Sequence, residues 1–409
     1  MKIHRQWLPR LAASMAIALV SACNVLDVEA PGRIVDENLN SADAIPGIVT
    51  GMSYDLTRSI NTINYLTSLA SVELFHAGSY GITDIARGTI LPEDVNTEWS
   101  RMMKARWTSE HGIERIKGIL PAADFSKSAL VARAYLLAGF ANRTIGENVC
   151  QTVIDGGAPQ ANTVEFDRGI ANFSQAITIG TAAGATDIVR AAYAGRASLK
   201  AWKGDWAGAV QDAQQVPAGF VYTAHLMTEG YVEGSGNDLA YETHDRYEYT
   251  VWSTEFANHY GDPRIPWDTV YKADHVTIAV GANGATPVFQ QNKYDEVDSD
   301  IPLVKGTEML VLRAEAALRS NDITGAYNLM NLARDVYGMS HLAVATTAAQ
   351  AWADLRYERG ATTWLETRRF WDGRRWFAET GPAHSDILLN RDKCIPISKD
   401  EATSNPNIP

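Results

Sequence analysis

"LVLRAEAALRSNDITGAYNLMNLAR", residues 310–334, decides how the fold is read. Apolar residues recur three and four apart on both sides of Ser320-Asn321-Asp322, which predicts two helices joined by a short turn. Ala314 and Ala326 stand twelve residues apart around that turn. Antiparallel helices in close contact need small side chains where their backbones approach, and the turn needs residues that accept unusual dihedrals. "AAYAGRASLKAWKGDWAGAVQDAQQV", residues 191–216, repeats the plan with Ala197, the turn Lys203-Gly204-Asp205, and Ala209. The spacing fits tetratricopeptide-like hairpins; an unrelated helical hairpin with alanines at its crossing fits it too. Ala197 and Ala314 are 117 residues apart. A simple array with a period of ~34 residues is thereby excluded, and something irregular lies between the pairs.

Outward from these hairpins, helical periodicity covers 43–56, 98–120, 129–142 and 165–179, and a last helix is predicted over 348–371. Tyr357, Trp364 and Trp371 fall seven apart on one face of that last helix, Arg359, Glu366 and Arg369 can pair on another, and Asp372-Gly373 supplies a stop. Between 220 and 305 the composition shifts to Gly, Asp, Asn, Pro and aromatic residues, with short strands predicted at "YEYTVW" (247–252) and "VTIAV" (276–280). The expected fold is therefore mostly α: a scaffold of helical hairpins over about 40–219 and 306–380, carrying a loop-rich insertion over about 220–305.

The N-terminus reads as an export signal. Lys2, Arg5 and Arg10 precede an uncharged run from Leu11 to Val20, then Ser21-Ala22 and Cys23. That run is too short to span a bilayer as a helix. Val20-Ser21-Ala22-Cys23 fits the bacterial lipoprotein pattern at every position: the Cys23 thiolate receives the diacylglycerol group, and cleavage after residue 22 makes the lipidated cysteine the new N-terminus. Asn24 carries no acidic inner-membrane retention signal, so the expected address is the outer membrane. Loss of residues 1–22 removes three basic and no acidic residues and takes the formal charge from −12 to −15. A field of that sign disfavours a nucleic-acid partner. The two other cysteines, Cys150 and Cys394, can form a bond in an oxidising compartment or remain two buried thiols.

No Gly-x-Ser-x-Gly elbow, His-Glu-x-x-His pair, phosphate-binding loop or Cys-x-x-Cys pair is present, and "GSGNDL" (234–239) reads as a turn. The nine histidines are scattered, so no catalytic residue, metal site or cofactor is predicted. Among 48 acidic residues composition alone cannot select a hydrolytic pair. The insertion does supply the groups a sugar-binding surface needs: flat aromatic faces for ring C–H groups, and planar polar groups for hydroxyls. "HDRYEYTVW" (244–252) and "HYGDPRIPWDTVY" (259–271) carry them, and the residues selected are Tyr247, Trp252, Arg264 and Trp267. The competing reading places the tyrosines inside the fold and makes Asp262-Pro263-Arg264 a corner whose arginine is fixed by a salt bridge.

Several separated segments together resemble the SusD/RagB family of nutrient-binding outer-membrane lipoproteins. They are "CNVLDVEAP" (23–31), "SADAIPGIVTGMSYDL" (41–56), "ALVARAYLLAGFANRTIGEN" (129–148), "DIPLVKGTEMLVLRAEAALRSNDITGAYNLMNLAR" (300–334), "ERGATTWLETRRFWDGRRW" (358–376) and "CIPISKDEATSNPNI" (394–408). The resemblance implies one SusD-like domain over 23–409, with tetratricopeptide-like pairs as scaffold and a binding surface built from irregular loops. It also implies a cell-surface-facing lid over a SusC-like TonB-dependent transporter, capturing a glycan or other oligomeric nutrient without chemistry of its own. The alternative function is a tetratricopeptide-type lipoprotein scaffold for outer-membrane protein assembly, with a protein ligand on a concave helix surface.

Overall fold

The computed structural model describes residues 39–79, 82–226, 236–380 and 387–409; Cys23 and the leader lie outside them. The fold is mostly helical, as expected. Helix α1 (Ile45–Ala70) packs on α2 (Asn96–Ile119), which packs on α3 (Ala129–Asn148); α4 (Thr163–Ala182) and α5 (Thr186–Trp202) follow in turn. Helix α1 runs well past the predicted 43–56. Ile60, Ile63, Leu66 and Leu69 continue its buried stripe, and the intervening Asn, Thr and Ser residues that mask the pattern are themselves buried. Asn61 Nδ2, for instance, donates to the Gly236 carbonyl at 2.8 Å. Close approach of α3 and α5 depends on glycine: a Cβ at Gly139 or Gly195 would lie 2.6 or 2.3 Å from the Phe173 ring of α4 wedged between them.

Both hairpins form where the sequence places them. Helix α5 turns into α6 (Trp206–Ala213), and α7 (Gly306–Arg319) turns into α8 (Ile323–Val336). Ala197, Ala209, Ala314 and Ala326 are all buried. Asp205 accepts the Gly208 N–H at 2.9 Å and Asp322 the Gly325 N–H at 2.8 Å, N-caps typically worth ~1 kcal/mol each. In the turns Gly204 (φ 85°) and Asn321 (φ 62°) adopt the left-handed backbone. Although 117 residues separate them in sequence, the two hairpins are neighbours in space, because α7 packs against α6 and α5. What brings them together is strand β4 (Val221–Ala224) paired antiparallel with β8 (Ile301–Lys305), which joins the two ends of the intervening segment. A second core cluster of Val311, Ala314, Tyr327, Met330 and Leu355 closes α7, α8 and α9 (Ala348–Thr362) onto one another.

The last helix corrects the prediction of one element over 348–371. Helix α9 stops at Thr362 and α10 (Arg369–Thr380) starts after a break in which Leu365 (φ 56°) and Thr367 (φ 67°) are left-handed. The Lys305 amine takes the Thr362 carbonyl and the Lys293 amine the Trp364 carbonyl, and the Tyr294 hydroxyl donates to the Leu365 carbonyl at 2.8 Å. These contacts satisfy the helix end from outside the helix. Helix α10 then runs straight through Asp372-Gly373, the predicted stop, because Asp372 is held by Arg359 at 2.5 Å and Arg375 at 2.9 Å. The predicted charged stripe is likewise split among different partners: Arg359 faces Asp372, Glu366 faces Lys293 and Lys305, and Arg369 faces Glu255.

Cys150 and Cys394 are bonded, with their Cα atoms 5.0 Å apart. The tail is registered there by backbone as well, since Cys150 N–H donates to the Ile395 carbonyl and Ile395 N–H to the Asn148 carbonyl, both at 2.8 Å.

The strands of the insertion are shorter than predicted. Within 247–252 only Tyr249–Thr250 (β5) pairs, with Phe75–His76 (β1); 276–280 contributes isolated bridges, and Trp267–Thr269 (β6) pairs with Phe289–Gln291 (β7).

Candidate functional site

A cleft of about 370 Å³ opens where the insertion meets α9, lined by Glu255, Asn258 and His259 on one side and Asp354, Arg356, Tyr357 and Glu358 on the other, with Leu342 at one end. Its size is within the range of small-molecule sites. A short 3₁₀ turn, Glu255–Asn258, presents Asn258 and the following His259 to solvent, while the α9 periodicity brings 354, 357 and 358 to the same side. The His259 and Tyr357 rings pack at 4.1 Å with 34° between their planes.

The walls are fixed by ion pairs beneath them. Glu358 is clamped between Arg264 (2.6 Å) and Arg334 (2.7 Å), and Arg264 also holds Asp262 at 2.7 Å. Burial pushes the Asp262 carboxyl up, but the Arg264 guanidinium outweighs it and keeps the group below its ordinary value, still able to accept the Tyr357 hydroxyl at 2.9 Å. Burial and the Asp262 charge in turn raise the Tyr357 phenol, so it stays protonated as the donor. Glu255 faces Arg369 at 2.8 Å, and Asp354 accepts from the Tyr327 hydroxyl and from Gln350. Every cleft carboxylate therefore has a partner in the protein. The arrangement suits an uncharged, hydroxyl-rich ligand: an aromatic face, the Asn258 amide, and carboxylates with further lone pairs to accept hydroxyl donors.

The four residues selected from the sequence separate into two groups. Arg264 is 4% exposed and engaged by Asp262 and Glu358, at the corner read as the competing account of that segment. Trp267 is 8% exposed, stacked on Phe289 at 4.7 Å and meeting Tyr260 edge to face at 5.1 Å. Both act from beneath the surface: Arg264 holds the cleft wall, and Trp267 supports Tyr260, which is 69% exposed and donates to Asp268. Trp252 lies elsewhere, half-buried and edge to face with Phe75 at 5.4 Å. Tyr247 is half-buried and left-handed (φ 54°), and its carbonyl accepts the Ala282 N–H at 3.1 Å, docking the 270–290 hairpin onto the body. Asn258, His259 and Tyr357 are cleft residues that the sequence does not single out; the local signal is the polar, aromatic run 255–261 immediately before the Asp-Pro-Arg corner. Among the described residues no group of three or more His, Cys, Asp or Glu is placed to hold a metal ion, and no helix is long and apolar enough to cross a membrane.

Residues 283–407 match the SusD family model. The fold is similar to that of a SusD homolog from Bacteroides thetaiotaomicron (TM-score 0.67, 13% identity, 89% of this chain and 96% of that one covered). It is also similar to surface glycan-binding protein A from the same organism (TM-score 0.64, 13% identity, 90% and 98% covered). A SusD-like carbohydrate binding protein from Bacteroides vulgatus matches as well (TM-score 0.60, 14% identity, 81% and 82% covered). No curated protein matches the sequence. At these identities the structural likenesses show the fold.

Proposed function

We propose that this chain, with its SusD-like fold and its SusD-family segment at 283–407, is a lipid-anchored outer-membrane protein that captures a glycan and passes it to a SusC-like TonB-dependent transporter. The observation that carries the reading is the cleft itself: the Tyr357–His259 pair and the Asn258 amide stand together on walls fixed by Arg264 and Glu358, and the exposed Tyr260 ring is the next residue along the chain from His259. Such a site binds and orients a saccharide without needing a reactive group. The names of similar structures, surface glycan-binding protein A and a SusD-like carbohydrate binding protein, support the same ligand class. In this reading residues 23–409 are one domain, with helical scaffold at about 40–219 and 306–380. The insertion at about 220–305 supplies Tyr260 to the ligand, with Arg264 and Trp267 holding the surface around it, while Tyr247 and Trp252 stand outside the cleft lining. Cys23 carries the anchor and holds the protein at the cell surface, and import energy comes from the transporter.

A mild-detergent pull-down of the native protein tests the partner: a large TonB-dependent barrel in near-equal amount is the expected companion, and recovery of assembly proteins instead would move the function to a helical scaffold. Affinity electrophoresis through neutral polysaccharides tests the ligand. The expectation is retardation by at least one glycan, relieved in Tyr357→Ala; unretarded migration through the whole set rejects glycan capture. Cys23→Ala is expected to release the protein from the membrane fraction, and its persistence there after a carbonate wash contradicts the lipid anchor.

A further inference from the structure

Helix α2 carries a second aromatic surface away from the insertion. Trp107 is 50% exposed, and the His111 ring one turn later lies 4.1 Å from it with 24° between the planes. The His111 Nδ1 sits 3.0 Å from the Trp107 carbonyl, so the imidazole is tied to the helix while it braces the indole. A braced ring has already lost the rotamer freedom that a ligand would otherwise have to remove.

This ring borders a cavity of about 320 Å³ built by three distant parts of the chain: Lys104, Arg106 and Trp107 from α2, Asp155 and Gly156 from the turn between strands β2 (Gln151–Thr152) and β3 (Gln160–Ala161), and Glu401 from the C-terminal helix Lys399–Ser404. The turn is held rigidly. Asp155 (φ 50°) and Gly156 (φ 72°) are both left-handed, and Asn407 donates to the Gly156 carbonyl at 2.8 Å. Arg106 is 2% exposed yet lines the cavity; it reaches Glu110 at 3.0 Å and Asp155 at 2.9 Å, and its buried Nε has no hydrogen-bond partner among the described residues. An unsatisfied buried donor is uncommon and costs free energy. Lys104 and Arg106 line the cavity beside Asp155 and Glu401, with Lys104 also paired to Asp55 at 2.9 Å, so the cavity offers hydrogen bonds in both directions.

We infer that Trp107 and this cavity form a second saccharide platform on the helical scaffold, taking a neutral sugar unit with its ring C–H face on the indole and its hydroxyls on Asp155, Lys104 and Arg106. The inference rests on the glycan-capture reading but not on the cleft. Two separated platforms on one lipid-tethered protein raise the retention of a long chain by effective concentration, without further contacts at either site.

The test uses the full chain in mild detergent, labelled with 5-fluorotryptophan, with the Trp107 resonance assigned by Trp107→Phe. The probes are cellohexaose, xylohexaose, mannohexaose and maltoheptaose, each in excess. The expected result is a saturable shift of the Trp107 resonance with at least one probe, in wild type and equally in Tyr357→Ala. Trp107→Ala, at a half-exposed position that leaves the fold intact, is expected to weaken binding of that probe about tenfold at this site, and Asp155→Asn, which tolerates the left-handed backbone, less than Trp107→Ala. A Trp107 resonance unmoved by all four probes overturns the platform, as does one that moves only when the TonB-dependent transporter is added, which would make the surface a protein interface. A Trp107 shift together with affinity-electrophoresis retardation that Tyr357→Ala leaves unchanged would reject the cleft and keep the platform; retardation weakened by Tyr357→Ala together with a Trp107 resonance that no probe moves would reject the platform and keep the cleft.

Discussion

The Glu73 carboxylate accepts the backbone N–H of Leu365 at 2.7 Å, bridging 292 residues of chain. Leu365 is one of the two left-handed residues at the break between α9 and α10, a conformation that costs a branched side chain about 1–2 kcal/mol and persists only where its surroundings dictate it. Glu73 is fully buried, and its other oxygen accepts the Ser71 hydroxyl at 3.0 Å. Burial raises its pKa to about 7 despite the nearby Arg369. The break between α9 and α10 is thus held by a carboxyl group that burial keeps protonated in acid.

Stability is therefore expected to fall as pH rises through this range. A group whose folded pKa lies above its unfolded value of 4.5 adds stability below that value, which is lost as pH climbs through about 7; Glu98, raised to about 7 by burial, acts in the same direction. Glu315 opposes them at the acid end: burial pushes it up but Arg375 overrides this and holds it at about 2, so its contribution disappears as pH drops below about 4.5. The melting temperature should be highest near about pH 5 and decline toward about pH 8. Glu73→Gln keeps an acceptor for Leu365 and removes the charge, so it should match wild type at pH ~5 and exceed it at pH ~8, by on the order of 2 kcal/mol. Equal destabilisation at both pH values in calorimetry would show that the carboxyl is needed for its shape alone.

Reduction of Cys150–Cys394 is expected to lower stability by about 5 kcal/mol, since the bond spans 244 residues and chain-entropy cost grows with the logarithm of loop length. Cys150→Ser, Cys394→Ser and the double variant should behave alike, and each should be insensitive to dithiothreitol in thermal melts. A response to reductant in a single variant would mean that its remaining cysteine pairs with Cys23 or with a second copy of the chain.

The hairpins were legible because their determinants are local: Ala314 and Ala326, the Asp322 cap and the Asn321 turn all lie within thirteen residues. The break at 363–368 was not, because the groups that impose it, Glu73, Lys293, Tyr294 and Lys305, come from distant sequence, and local propensity through Thr362–Phe370 gives no stop. The same logic divides the site. The 259–271 run announced a corner rich in binding chemistry, but which residue faces solvent was settled by tertiary pairing, with Arg264 drawn inward by Glu358 from 94 residues away.

Gly306, the first residue of α7, lies against the 217–218 backbone: a Cβ there would fall 1.9 Å from the Pro217 carbonyl oxygen and 2.6 Å from that of Ala218. Backbone cannot retreat as a flexible side chain would, and the Gly306 N–H also donates to the Phe220 carbonyl at 2.7 Å. Gly306→Ala should cost about 2–3 kcal/mol in denaturant unfolding, far more than Gly47→Ala in α1, where a Cβ meets nothing within 4 Å. Similar midpoints for the two variants would show that the β4–β8 junction yields easily.

Tyr260, Trp267 and Arg264 lie within eight residues and should respond to substitution in opposite ways. Tyr260 is 69% exposed, so Tyr260→Ala should leave the melting temperature nearly unchanged and weaken glycan binding about tenfold, as loss of an exposed stacking face predicts. Trp267→Ala removes a ring that is 8% exposed and stacked on Phe289, with an expected loss of about 3–5 kcal/mol from the cavity it leaves. Arg264→Ala strands Asp262 and leaves Glu358 with Arg334 alone, which should cost a similar ~3–5 kcal/mol. Because these two residues hold the surface that Tyr260 and Tyr357 present, their binding losses should accompany stability losses, whereas those of Tyr260→Ala should not. Paired melting and affinity-electrophoresis measurements separate the cases: a Trp267→Ala protein of wild-type stability that no longer binds would place the indole against the ligand and Tyr260 outside the site.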